Sequence, residues 1–156
     1  MINLKRILWP TDFSETSDAA QTYACNLAKQ FDAELHIVHV IIDPAYAVSP
    51  MGVGYIPASY HEDMRVRSDA ELAKLPVDSA ADGLSVVRES LGGSAAENIT
   101  DYAQEHDIGM IVIGTHGYSG LSRMLMGSVA EKVVRTAGCP VLTIHTDDLQ
   151  FIKADD

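Results

Sequence analysis

The run GTHGYSGLSRMLMGS, from Gly114 to Ser128, carries the densest candidate chemistry in the chain. Its glycines are spaced as Gly114, two residues, Gly117, nine residues, Gly127 and then Ser128. Gly114 removes a Cβ where a ligand or a second backbone can approach closely. Gly117, with Gly120 as a further candidate, can adopt positive φ and turn several N–H groups toward one anion. Gly127-Ser128 opens a helix whose first N–H groups lack partners and whose dipole end is positive, and Ser128 adds a hydroxyl. His116 and Arg123 lie in the same run, equally placed to reach phosphates or to stay solvated. Such a segment suits a phosphate held mainly by backbone.

A second candidate group lies near the N-terminus, in Pro10-Thr11-Asp12-Phe13-Ser14-Glu15. Asp12 can cap the helix that follows or orient a ligand at the end of a strand, and the second role suits its position better. Both groups follow short apolar runs that read as strands: Arg6–Pro10 (RILWP) as the first and Met110–Gly114 (MIVIG) as the fourth. Ala33–Ile42, Leu84–Glu89 and Pro140–His145 read as the second, third and fifth strands. Near-continuous Ile and Val in the second and fourth suit strands covered on both faces.

Helical patterns separate them. Ser14 caps a helix with Ala20, Tyr23, Ala24, Leu27 and Phe31 on one face. A further helix is expected within Ala58–Leu75. Ser94-Ala-Ala-Glu97 is a capping box that opens a helix burying Ile99, Tyr102 and Ala103. A last helix starts near Ser128 and stops by Gly138. This alternation predicts an α/β fold with a mainly parallel sheet. In such a sheet ligands gather at the carboxyl ends of the strands, where strand order reverses. If the first and fourth strands are neighbours, the two candidate groups face one crevice.

Other phosphate motifs are missing. The chain has no G-x-x-x-x-G-K-[ST], and its first strand turn has no glycine for a dinucleotide fingerprint. Gly92-Gly93-Ser94 reads more simply as a turn and cap than as an anion site. His36 and His39, three apart on a strand, point to opposite faces and read as structural. No nucleophile elbow, Ser-His-Asp order or metal-ligand cluster appears, so no catalytic and no metal-ligating residue is assigned.

With 11 Lys and Arg against 22 Asp and Glu, the formal charge is −11 in 156 residues. That balance opposes general binding to nucleic acid or to anionic membranes. It also means that a polyanion must be held by local donors against the mean field. No apolar run approaches the ~18 residues of a membrane span, no signal peptide is visible, and Cys25 and Cys139 lack metal spacing, so a cytoplasmic protein with reduced thiols is expected. One domain over residues 1–146 followed by an acidic tail, 147–156, is the expected organisation. The proline- and glycine-bearing segment 43–57 reads as a surface loop, with a lid near the ligand as the alternative.

At this point the chain resembles a family. Gly114-x2-Gly117-x9-Gly127-Ser128 is similar to the G-x2-G-x9-G-[ST] ATP-binding signature of the universal stress proteins. RILWPTDFSETSDAA resembles that family's first strand and turn, and GCPVLTIH its closing strand. The resemblance, from about Lys5 to His145, implies an open, Rossmann-like five-stranded parallel sheet of order 3-2-1-4-5 with helices on both faces. It implies a homodimer along the fifth strand. It implies that Asp12 and the backbone near Val40 recognise adenine, and that Gly114, Gly117, Gly127, Ser128 and Val129 cradle ribose and phosphates. Pro10, Thr11, Ile113, His116 and Arg123 complete the expected nucleotide contacts. Trp9 stands where the family more often has a small aliphatic residue, and is expected in the core.

The function these features imply is an ATP-binding sensor or regulator in the stress response, acting on a protein partner, with ATP bound with or without Mg²⁺. ADP and AMP would share the adenine and first phosphate contacts. The alternatives are a slow ATPase or a phosphoryl or adenylyl transferase with an unknown acceptor, and a nucleotide-free interaction module.

Overall fold

The computed structural model describes residues 4–42, 59–76, 82–115 and 126–145. Within them the chain runs β1 (Arg6–Pro10), α1 (Glu15–Phe31), β2 (Glu34–Ile41), α2 (Tyr60–Leu72), β3 (Val86–Gly92), α3 (Ala95–Glu105), β4 (Met110–Gly114), α4 (Ser128–Thr136) and β5 (Val141–Ile144). The strands form one parallel sheet in the order β3-β2-β1-β4-β5, as expected. The segment 43–57 and the tail 147–156 lie outside the described residues.

Alternation along the central strands explains the uninterrupted apolar runs. Ile7, Trp9, Leu35, Ile37 and Val112 face one side and pack with Ala20, Ala24 and Ala28 of α1 and Leu72 of α2. Leu8, Val38, Val40, Ile111 and Ile113 face the other and pack with Ile99, Tyr102 and Ala103 of α3 and Ala130 and Val133 of α4. Both faces are covered, so both are mainly apolar, and the polar side chain buried among them, His36, has hydrogen-bond partners. Trp9 is fully buried, and its indole N–H donates to the Ser17 carbonyl at 3.1 Å. Replacing such a side chain by alanine typically costs about 3–5 kcal/mol.

Alanine sets the distance of α1 from the sheet. Its buried stripe runs through Ala20, Ala24 and Ala28, which lets the helix lie close. Phe31, expected on that stripe, closes the helix and is exposed. The helix begins as the sequence suggests, with the Ser14 hydroxyl accepting from the Ser17 N–H at 3.3 Å. It ends at Asp32, left-handed at φ 52, whose N–H turns back to Ala28 and Lys29.

Two local expectations differ from the structure. Ser94 stands at the N-cap of α3, but its hydroxyl accepts no helix N–H, so the capping box does not form. Glu97 turns outward to Lys132 of α4 at 2.8 Å and also engages the Ser94 side chain. That ion pair ties α3 to α4. The third strand also lies later than expected, at Val86–Gly92. The long β2 offers partners up to Ile41, so β3 continues through Ser90, Leu91 and Gly92 despite their weak strand preference. Helix α2 is largely polar and buries only Ser68 and Leu72. Ser68 and Ser90 hydroxyls meet at 2.6 Å, and Ser90 donates to Asp69 Oδ1 at 2.6 Å, anchoring α2 on β3.

Candidate functional site

Strands β1 and β4 are direct neighbours, pairing Ile7 with Met110 and Leu8 with Ile111. Carried forward, that register brings Thr11 beside Gly114, so the turn after β1 and the exit of β4 share one end of the sheet. Pro10 and Thr11 are buried there and Asp12 is exposed. The Thr11 N–H donates to the Val38 carbonyl at 2.8 Å. Thr11 Oγ1 accepts from the Phe13 N–H at 3.0 Å. Asp12 Oδ1 accepts from the Ser14 N–H at 3.1 Å and from the Ser14 hydroxyl. These bonds fix the Asp12 carboxylate at the mouth of the crevice, and among the described residues both engage Oδ1 and neither engages Oδ2. Asp12 therefore supports the residue that caps α1; it is not itself the cap.

On the β4 side, Ile113 is buried and Gly114 ends the strand. A Cβ at Gly114 would lie 2.8 Å from the Thr16 carbonyl oxygen and 3.0 Å from its carbon. Of the two reasons for a glycine here, close approach of another backbone is the one the structure displays: the first turn of α1 occupies that space. Thr115, fully buried, donates its N–H to the Ile144 carbonyl at 3.0 Å. Its hydroxyl lies 2.8 Å from His145 Nδ1. The Thr115 carbonyl in turn accepts the Gly127 N–H at 2.5 Å.

That last bond changes the account of Gly127, whose N–H is committed to Thr115 and is not available to a ligand. The next groups are. Gly127 is the N-cap of α4 and has no side chain to offer it. Among the described residues no acceptor caps the N–H groups of Ser128, Val129 and Ala130. Ser128 and Val129 are also exposed. Uncapped N–H groups at the positive end of a helix favour an anion electrostatically. Val40 is buried near the end of β2 on the α3 and α4 side of the sheet. His116, Gly117 and Arg123 lie outside the described residues.

Charge divides the crevice. Asp12, Glu15 and Asp18 crowd the start of α1, and the Asp18 carboxyl titrates above its usual range through burial and the charges of Asp12 and Glu15. That side repels phosphate and favours a hydrogen-bond donor. The α4 side carries the uncapped N–H groups. Among the described residues no cluster of three His, Cys, Asp or Glu side chains is arranged to hold a metal ion. A separate cleft of about 830 Å³ opens at the opposite, amino end of the sheet, between Lys5, Lys29, Glu34 and Ser85. Its Arg6 is engaged by Glu34, Asp107 and the His106 carbonyl.

The histidines lie on opposite faces, as their spacing requires. His36 is buried between Tyr102, 2.9 Å from Nδ1, and Glu34, 3.0 Å from Nε2. Burial lowers its pKa, against the opposing pull of Glu34. Burial pushes the Tyr102 phenol up to about 12. His39 contacts the turn after β1, with Nδ1 2.8 Å from the Thr11 carbonyl. Motif reading did not single out Thr16, Thr115 or His39 for the site. Their partners are distant in sequence or are backbone atoms, and neither leaves a motif.

The model of the universal stress protein family matches residues 3–145. Universal stress protein MJ0531 of Methanocaldococcus jannaschii is 35% identical over 141 residues, covering 90% of this chain and 81% of that one. The solved structure of universal stress protein UspA from Lactobacillus plantarum superposes with a TM-score of 0.74 at 27% identity, covering 91% of this chain and 98% of that one. Two more distant structures, each 22% identical, share the fold. One is a universal stress protein in complex with cAMP, with a TM-score of 0.69 and coverages of 92% and 99%. The other is the Archaeoglobus fulgidus universal stress protein in complex with dAMP, with a TM-score of 0.60 and the same coverages. By the extent of the family match and the fold, the chain belongs to the universal stress protein family.

Proposed function

We propose that this protein binds ATP between the turn after β1 and the start of α4, and that it acts as a nucleotide-dependent regulator and not as a catalyst. The observation that carries this reading is the helix start at Ser128–Ala130, uncapped among the described residues, across the crevice from the fixed Asp12 carboxylate that follows the neighbouring strand. Asp12 Oδ2 would accept from the adenine amino group, with Val40 beside the base. The N–H groups of Ser128 and Val129 would receive a phosphate. Pro10, Thr11, Ile113 and Gly114 would line the crevice. Gly117, His116 and Arg123 join the reading from the sequence motif alone. The cAMP and dAMP complexes of structural neighbours support an adenine nucleotide in general. An ATP preference, a role for Mg²⁺, a cytoplasmic location and a protein partner belong to the same proposal.

So does a homodimer along β5. That strand pairs with β4 on one side, and among the described residues its other edge carries no strand. Val134 on α4 is exposed.

Thermal unfolding with ATP, ADP and AMP, each with and without Mg²⁺, tests the binding reading. A ligand at a hundred times its Kd adds about 2.7 kcal/mol of stability. The expected result is a rise in midpoint with ATP that Gly127→Val and Asp12→Ala reduce. No stabilisation by any of the three, with Gly127→Val indistinguishable from wild type, overturns it. Steady ATP turnover abolished by Asp12→Ala would replace the regulator with an ATPase.

A further inference from the structure

The His39 ring stands where the ladder between β1 and β2 ends. The last register pair is Pro10 with Val38, and Thr11 still donates its N–H to the Val38 carbonyl. The Thr11 carbonyl, just beyond, is met by His39 Nδ1 at 2.8 Å. A carbonyl oxygen only accepts, so Nδ1 must carry the proton, and in the neutral ring Nε2 is left as the acceptor. The same ring packs on Phe13, with centroids 4.4 Å apart and planes inclined at 32°. Phe13 has φ 61, a left-handed conformation that a bulky residue rarely takes without support from its surroundings. One side chain of β2 thus touches the residue before Asp12 and the residue after it.

The peptide plane between Thr11 and Asp12 links this contact to the carboxylate. Holding the Thr11 carbonyl fixes the orientation of the Asp12 N–H and limits how the Asp12 backbone can turn. The Asp12 side chain is then locked from its far side by Ser14. Across the sheet, Ser90 is the β3 register partner of His39, and it is bonded to Asp69 of α2. His39 therefore sits between the turn and a hydrogen-bonded anchor of α2.

We propose that His39 is a positioning residue of the nucleotide site: its Nδ1–H holds the Thr11 carbonyl, and through it the Asp12 carboxylate, in the orientation that receives the base. This rests on the nucleotide reading above and names a residue that sets the affinity of that site. A role in packing alone would need the ring but not the proton, and two substitutions separate these. His39→Phe keeps a ring against Phe13 and removes the donor. His39→Asn removes the ring and keeps a donor close to the Nδ1 position.

Two readouts are taken on both variants and wild type: amide hydrogen exchange at Phe13 and Ser14, and ATP affinity by titration calorimetry. Loss of the bond is expected to speed exchange at both amides about tenfold in His39→Phe. It is expected to weaken ATP about fivefold to tenfold, the worth of one hydrogen bond. His39→Asn is expected to stay within about twofold of wild type in both. Unchanged exchange in His39→Phe, or His39→Asn as impaired as His39→Phe, overturns the proposal. If His39→Phe does not fold, His39→Ala against His39→Asn makes the same comparison. Failure of the nucleotide reading looks different: wild type binds no nucleotide while the turn amides still respond. That outcome removes the link from His39 to affinity and overturns the proposal as stated.

Discussion

Gly114→Ala should destabilise the protein with no ligand present, because the space a methyl group needs is held by the first turn of α1. The added Cβ would stand 2.8 Å from the Thr16 carbonyl oxygen, against about 3.3 Å for a close C···O contact. The helix would have to retreat by about 0.5 Å. It has little slack, because Ala20, Ala24 and Ala28 already bring it against β1 and β4. Overpacking of this kind costs about 1–3 kcal/mol. Gly114 does not sit at positive φ, so alanine adds no backbone strain there, and stiffening of the unfolded chain returns about 0.4–1 kcal/mol. From mid-range values the net expectation is about 1.3 kcal/mol, or a fall in Tm of about 3–5 °C for a chain of this size. Fluorescence is a suitable assay because Trp9 is the single tryptophan, is buried, and bonds to Ser17 in the same turn of α1. The double variant with Thr16→Ser should remain destabilised, since the closest contact is to backbone and not to the Thr16 methyl. Recovery in that double variant, or a single variant melting within about 1 °C of wild type, would refute the backbone-contact explanation. Gly114 would then owe its identity to the ligand.

Stability should also fall as pH drops through the histidine range. The folded pKa of His36 lies below the unfolded 6.5, so the unfolded state binds the extra proton between those values. Stability is therefore greatest above about 6.5 and declines below it, by at most ~1.4 kcal/mol per pH unit for one proton. Urea unfolding at pH 7.5 and 5.5 measures the decline, and an equal decline in His36→Gln would exclude His36 as its source. For the β5 edge, sedimentation should give a dimer for wild type and a monomer for Thr143→Lys, with circular dichroism unchanged. A monomeric wild type would remove the dimer from the reading.

The architecture was legible because each strand run is short, apolar and punctuated. RILWP and MIVIG, covered on both faces, could be read with their ends correct. The edge strand β3 was harder, since its later residues pair only because β2 reaches that far. Ser94 and Glu97 match a capping box in spacing, but Lys132, far along the chain, competes for the carboxylate. Within the site, local chemistry marked Asp12, Gly127 and Ser128 as candidates. The engagement of the Gly127 N–H by Thr115 depends on the return of α4 to the sheet, which spacing does not encode. His39 was hidden for a related reason: its importance lies in a bond to a carbonyl, and every residue has one.

The central position of β1 also bears on synthesis. Its β4 partner is encoded about a hundred residues later, after β2, β3, α2 and α3. During translation Ile7 to Pro10 can pair with β2 on one side only, and the other edge stays open until β4 emerges. A chain stopped before Met110 would carry an unsealed edge on a strand that is apolar from Ile7 to Pro10, and would be prone to aggregate. Half of the crevice would be absent as well, so added nucleotide could not rescue it. On the proposed nucleotide reading, ligand would act only on the finished molecule, as a late check that the last two strands have closed the sheet.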